Sequence, residues 1–335
     1  MELNLKPAFF WRINSTSVRL FKFSAGLAWQ RTLFRALWRA APRLAIERAM
    51  RAMLTPPRHG FPDAELEAME EASLLPVAMV PGRLIGWRWG RARDPVVVLV
   101  HGWGGRGTQL KAFIDPLLER GVSVVAFDAP GHGMTGGDES SLPHFVQGLN
   151  AVLDRLGAVH AIVGHSVGAA VTAMALTRRP ALGRAVLIAP PASLADSSRR
   201  IAAALQWPEA LRAAVQRRIE QRYGVSWSDF EAERAGGQQP LLVIHDRQDR
   251  EVPFSEGLRY LRRWPQARLM ETSGLGHRRV LDDPAVIAAS VDFIAGERRP
   301  SPGRPKAVQQ EHGAATRRTT VTPCLGQGAG GRVVQ

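Results

Sequence analysis

The chain of 335 residues has a single cysteine, Cys324, so it holds no internal disulfide and its fold does not depend on an oxidising compartment. Long uncharged apolar runs are missing as well: none reaches the roughly 18 residues a membrane span needs. The opening stretch MELNLKPAFFWRINSTSVRLFKF lacks the basic, then apolar, then small-residue order of a secretory leader, and a cytoplasmic location is the expectation. No clustered His, Cys and carboxylate spacing resembles a metal site, so neither metal nor cofactor is expected. Acidic residues are scarce only at the ends. Residues 1–60 hold 2 Asp/Glu against 11 Lys/Arg and residues 298–335 hold 1 against 7, whereas residues 61–297 hold 27 against 26. The formal net charge of +14 therefore belongs to the termini. A near-neutral centre is no nucleic-acid-binding surface, and any affinity for polyanions or membranes lies in the ends.

What is present fits one large core, since 45% of the residues are hydrophobic. Residues 1–75 read as a basic helical extension, in which Gly26 to Leu54 is helical with a break at Pro42. Arg31, Arg35 and Arg39 recur every four residues as one stripe, with Leu27, Phe34, Leu37 and Trp38 on other faces. Such a segment docks on its own domain with the arginine heads in water. The alternative is peripheral contact of residues 26–54 with an anionic membrane. Thr55 to Gly60 ends it with helix breakers, and Pro62 to Leu74 reads as a short acidic helix.

From residue 76 to 297 apolar strand runs alternate with helical patterns. After a hairpin around Pro81-Gly82 come strands at Val96 to Val100, Val122 to Phe127, Val159 to Val163, Ala185 to Ile188, Leu241 to Ile244 and Ala267 to Met270. Helices fit at Thr108 to Glu119, Leu142 to Leu156, Val167 to Arg179, Ser255 to Trp264 and Pro284 to Ala295. This is an α/β pattern: a mostly parallel central sheet with helices on both faces, its chemistry beyond the carboxyl ends of the strands. Residues 191–239 form an insertion with helix-like stretches at Ser198 to Leu205, Glu209 to Tyr223 and Ser226 to Ala235, placed to be a cap over the strand ends. Residues 298–335, rich in Gly, Pro, Arg, Thr and Gln, read as a disordered basic tail.

The strand ends carry the chemistry. Val159 to Val163 runs into Gly164-His165-Ser166-Val167-Gly168 and then a small-residue helix. A strand that turns sharply into a helix needs glycines, and the apex residue, Ser166, is pushed out as a nucleophile. Val96 to Val100 runs into His101-Gly102-Trp103-Gly104-Gly105, where glycines leave backbone N–H groups unobstructed. The N–H groups of Trp103 and Val167 are the candidate oxyanion donors. Asp128 and His132, in DAPGHG, read as turn residues that brace the first loop. After Leu241 to Ile244 two carboxylates, Asp246 and Asp249, compete for the orienting acid, and His277 in Gly274-Leu275-Gly276-His277 is placed to be the base.

These stretches, HGWGG, DAPGHG, GHSVG, HDRQDREVP and GLGH, stand in the order of the α/β-hydrolase superfamily, which the chain resembles from about Val77 to Ala295. The resemblance implies that the acid is Asp249, with Asp246 where that family often has glycine. Relatives that dehalogenate or open epoxides usually carry aspartate at the apex, so Ser166 implies acyl transfer, with a small-molecule ester or thioester as substrate. It also implies that His165 packs away from the nucleophile and that His101 braces the oxyanion loop. The expected activity is a Ser166-His277-Asp249 serine hydrolase. The alternatives are a membrane-surface lipid or thioester hydrolase recruited by the basic helix, and a non-catalytic ligand-binding member of the fold.

Overall fold

The computed structural model describes residues 32–80 and 82–296. Arg31, the start of the basic extension and the tail from 298 to 335 lie outside the described residues.

Among the described residues ten strands form: β1 (Ser73–Leu74), β2 (Val77–Ala78), β3 (Arg83–Leu84), β4 (Gly86–Trp89), β5 (Val96–Val100), β6 (Ser123–Phe127), β7 (Ala161–His165), β8 (Arg184–Ile188), β9 (Leu241–Asp246) and β10 (Ala267–Thr272). Eight of them make one sheet in the order β1-β4-β6-β5-β7-β8-β9-β10. From β6 to β10 all neighbours run parallel, while β4 joins β6, and β1 joins β4, antiparallel. The expected hairpin survives only as the β2/β3 ribbon, with Val77 opposite Leu84. Gly86 to Trp89 turns instead to the large sheet, where Trp87 pairs with Ala126. Strands β5, β6, β7 and β9 are buried at every position, the reason they read as mostly apolar runs rather than alternating ones.

The helices are α1 (32–40), α2 (Pro42–Leu54), α3 (Asp63–Glu70), α4 (Ile114–Leu118), α5 (Leu142–Leu156), α6 (Val167–Arg178), α7 (Leu194–Leu205), α8 (Glu209–Tyr223), α9 (Phe254–Leu261), α10 (Gly276–Arg279) and α11 (Pro284–Ala295). On one face of the sheet α5 and α6 pack Phe145, Leu149, Val171 and Leu176 against Val98, Val125 and Ile162. On the other, Phe113, Leu117, Val291 and Ile294 cover Val97, Leu99, Val124 and Val163. The helix expected over Thr108 to Glu119 is instead a 3-10 stretch, Gly107–Phe113, followed by the short α4. Pro116 explains the break: its ring collides with the carbonyl four residues back and it has no N–H to donate.

Between β8 and β9 the chain makes α7, α8 and two 3-10 turns, Trp227–Phe230 and Ala232–Arg234, the latter two in place of the expected helix at 226–235. Ser226 and Asp229 form a reciprocal capping box that fixes the first turn. The amino-terminal helices dock on this insertion. Phe34 lies 5.1 Å from Trp207, and Ala45, Ala49, Met50 and Leu54 share a core with Leu211, Val215 and Ile219. Pro42 opens α2, as expected, and Arg35 and Arg39 stay exposed. No helix among the described residues is long and apolar enough to cross a membrane.

Candidate active site

Ser166 sits between β7 and α6 at φ 53°, ψ −124°, a conformation costly for a residue with a side chain. Glycines on both sides make the turn possible. A Cβ on Gly164 would lie 2.7 Å from the Cα of Ala169, and one on Gly168 would lie 2.3 Å from the carbonyl oxygen of Val100. Both obstacles are backbone, so neither position accepts another residue without parting the strand from the helix. The amide of Ser166 donates to Ile188 O at 2.9 Å, which ties the apex to β8.

Three predicted residues come together here. The Nε2 of His277 lies 3.0 Å from Ser166 Oγ, and its Nδ1 lies 2.7 Å from Asp249 Oδ2. Ser166 and His277 are 8% and 9% exposed, so the pair is shielded from bulk water yet reachable. The other oxygen of Asp249 accepts from the amides of Glu251 and Val252 at 2.8 and 2.9 Å. Burial works to raise the Asp249 carboxyl, but hydrogen bonds from His245, His277 and Val252 outweigh it and hold the group well below the usual carboxylate range. A carboxylate at that place makes Nδ1 of His277 the donor and leaves Nε2 as acceptor for the serine hydroxyl.

Asp246, the competing acid, is engaged elsewhere. One oxygen accepts from the amide of Gln248 at 2.9 Å, and the other from Thr272 Oγ1 at 2.8 Å and the amide of Leu275 at 3.0 Å. It fastens the acid turn to the loop that carries His277. His245 stands on the far side of Asp249: its Nε2 donates to Val252 O at 3.0 Å, with Asp249 Oδ2 3.5 Å away.

The glycine-rich loop after β5, the expected oxyanion side, is built on His101. Its Nδ1 donates to the carbonyl of Gly102 at 2.7 Å while its Nε2 accepts from the amide of Ala129 at 3.0 Å, so the two partners fix a neutral tautomer. Burial, followed by the neighbouring His132, pushes its pKa well down. Gly105 N also donates to Gly102 O, at 3.0 Å. Because C=O and N–H point opposite ways across a trans peptide, pinning the Gly102 carbonyl aims the Trp103 N–H in the other direction. A Cβ on Gly102 would lie 2.8 Å from Ser166 Cβ, which brings this peptide against Ser166. Val167 opens α6 directly after Ser166.

Asp128 and His132 brace this wall. Asp128 accepts from the amides of Gly107 and Met134, both at 2.7 Å, and burial raises its carboxyl to about 6. His132 donates from Nδ1 to Pro130 O at 3.0 Å, its ring 5.3 Å from Trp103 and 5.0 Å from Phe145, and burial pushes it down to about 4.

His165 does more than pack. Its Nε2 donates to the backbone carbonyl of His277 at 2.9 Å, and burial, reinforced by His277, holds it neutral with a pKa of about 3. Neither this bond nor the place of His245 was legible from sequence, since both depend on how separate strand ends converge. An open groove of about 840 Å³ on the outer side of α5, lined by Met79, Val146, Ala151, Val225 and Phe230, contains none of these groups. Among the described residues no group of three or more His, Cys, Asp and Glu could hold a metal ion.

Residues 97–290 match the model of the alpha/beta hydrolase family, and the chain belongs to that family. Over 140 residues it is 29% identical to a human serine hydrolase-like protein, covering 40% of this chain and 68% of that one. A bifunctional esterase/perhydrolase of Acinetobacter calcoaceticus is 34% identical over 105 residues, 30% of this chain and 38% of the bacterial one. An esterase of Pyrococcus furiosus has a similar structure, with a TM-score of 0.54 and 22% identity over 71% of this chain and 98% of that one.

Proposed function

We propose that the protein is a serine hydrolase that cleaves a small-molecule ester or thioester through an acyl-enzyme on Ser166. The observation that carries this reading is the unbroken line from Ser166 Oγ to His277 Nε2 at 3.0 Å and from His277 Nδ1 to Asp249 at 2.7 Å. In the first half-reaction His277 takes the hydroxyl proton as Ser166 Oγ attacks the acyl carbon. Asp249 stabilises the resulting imidazolium, and the N–H groups of Trp103 and Val167 receive the oxyanion. His277 then gives the proton to the departing alcohol or thiol, and the C–O or C–S bond breaks. In the second half a water repeats the sequence and releases the acid. The esterase and serine hydrolase names of the relatives support the same chemistry.

The direct test is Ser166→Ala assayed on short-chain nitrophenyl esters, with a panel of acyl lengths to define the preferred substrate. Hydrolysis falls to background while the variant keeps the wild-type circular dichroism spectrum; undiminished turnover would overturn the assignment. A wild type that turns over nothing on the panel would favour a ligand-binding role.

A second reading concerns place rather than chemistry. Arg39, Arg43, Arg48, Arg51, Arg217 and Arg218 are exposed on α1, α2 and α8, and none makes an ion pair among the described residues. Clustered unpaired arginines are attracted to anionic headgroups, which supports a cytoplasmic enzyme held at the inner membrane surface. Co-sedimentation with phosphatidylglycerol vesicles falls when these six become glutamine, whereas equal binding would discard recruitment by this face.

A further inference from the structure

The chain between α2 and α3 lies outside the matched family residues, 97–290, yet it runs along the oxyanion wall. The carbonyl of Leu54 accepts from the amide of Ser140 at 2.6 Å. Pro57 sits under Gly104, where a Cβ would come within 2.9 Å of its ring and where φ is +69°. Arg58 donates to three carbonyls of the second loop: Gly131 at 3.4 Å, Thr135 at 3.3 Å and Gly137 at 2.6 Å. The guanidinium of Arg106 lies 5.0 Å above the ring of Phe61. At the end of this strap Glu65, 6% exposed, grips Arg106 with both oxygens, at 2.5 Å to Nε and 2.7 Å to Nη2. The Oγ1 of Thr108 donates to the same carboxylate at 2.7 Å.

The loop held this way needs holding. Gly102, Gly104, Gly105 and Gly107 give it great conformational freedom, and an oxyanion donor works only when its N–H is already aimed. His101 anchors the start of the loop, and Asp128 anchors the amide of Gly107. Glu65 fixes the residues on either side of Gly107, Arg106 and Thr108. A buried ion pair is a poor way to gain stability alone, because a hydrophobic pair of like volume serves as well or better. What a bidentate carboxylate and guanidinium add is a fixed direction.

We propose that Glu65 is a positioning residue for the reaction: it sets the oxyanion loop from outside the residues that match the family, so that the strap Leu54 to Glu65 is a working part of the active site. The proposal rests on Ser166 being the nucleophile and Trp103 N–H an oxyanion donor. It assigns Glu65 no contact with substrate.

The test uses the full chain with Glu65→Gln, which keeps the volume and removes the charge, and Thr108→Val, which removes one hydrogen bond. Three quantities are read: kcat and KM on a nitrophenyl ester, affinity for an aryl trifluoromethyl ketone whose serine adduct places an alkoxide in the oxyanion site, and Tm. For Glu65→Gln, kcat falls on the order of tenfold or more with KM within about twofold, and ketone affinity weakens by the same factor as kcat/KM. For Thr108→Val the same pattern appears at a few-fold, and this variant decides the matter if Glu65→Gln does not fold. Folded variants with wild-type kcat and ketone affinity, whatever their Tm, overturn the proposal. So does a fall in kcat with ketone affinity unchanged. A wild type whose Ser166 resists fluorophosphonate labelling would instead overturn the underlying hydrolase reading.

Discussion

The sheet domain and the insertion between β8 and β9, the proposed cap, are held together by different means. In the sheet domain the turn geometry comes from backbone and short polar side chains in places with no slack. Gly164 and Gly168 touch main chain on the neighbouring elements, and Asp128, Asp246 and Asp249 each accept from two or more backbone or hydroxyl donors. In the cap, long charged side chains do the fastening. Arg259 on α9 reaches Asp196 at 3.3 Å, Glu231 at 3.0 Å and Glu233 at 2.5 Å, and Arg200 on α7 pairs with the buried Glu256. Short buried bonds fix geometry to within a few tenths of an ångström, whereas half-exposed ion pairs contribute little each and are replaced readily. The proposed division is reaction type in the strand ends and substrate choice in the insertion between β8 and β9.

The largest expected effect lies at the two carboxylates at and just after the end of β9. Asp249→Asn removes the charge that orients and supports His277, and kcat falls by about a thousandfold or more. Asp246→Asn leaves that contact intact and costs less than about tenfold, with a lowered Tm from the loosened Leu275 amide. Steady-state kinetics on both variants checks the ranking, and the reverse order would move the acid to Asp246.

Acid stability comes next. His132 and His165 are held at about 4 and about 3 against an ordinary value of 6.5, so between those limits the unfolded chain binds protons that the native one refuses. Stability is therefore lost as pH falls below 6.5, by up to about 3 kcal/mol for His132 alone. Asp128, raised to about 6, works the other way, keeping its proton longer in the native state and returning some stability below that pH. The buried histidines, with His101 also held well below its ordinary value, outweigh one carboxyl, and Tm declines from pH 7 to 4.5. His132→Phe, which keeps a ring against Trp103 and Phe145, flattens the decline; a level wild-type Tm would contradict the buried neutral histidines.

The smallest effect belongs to the cap. Arg259→Ala lowers stability by about 1–2 kcal/mol and leaves kcat within about twofold, while KM changes with acyl length. Unfolding curves and the acyl panel check both halves, and a collapse of kcat would erase the division between the two regions.

Much of the catalytic half was legible because its signals are local. The runs around Val98, Val125 and Ile162 are mostly apolar because both faces are covered, and the glycines at 164 and 168 announce a turn no other residue can make. The order Ser166, Asp249, His277 is a linear fact about the chain. Asp246 and Asp249 could not be ranked from the residues alone, because three positions of separation do not reveal which carboxylate the turn folds back towards His277. His165 read as packing because its partner, the carbonyl of His277, lies 112 residues... away along the chain. Glu65 was one acid in an acidic surface helix, and nothing local marks it as the carboxylate that grips Arg106. Helix boundaries failed where proline intervened, at Pro116, and where a capping box favoured a tight turn, at Ser226.

In the proposed mechanism Ser166 is a nucleophile activated by His277. Treating the wild type and His277→Ala with a fluorophosphonate, then mapping the adduct by peptide mass spectrometry, tests it most directly. The prediction is a single adduct on Ser166 in the wild type, formed at least about a hundredfold more slowly in His277→Ala. An unmodified Ser166 in the wild type, or equal labelling rates in the two proteins, would contradict it.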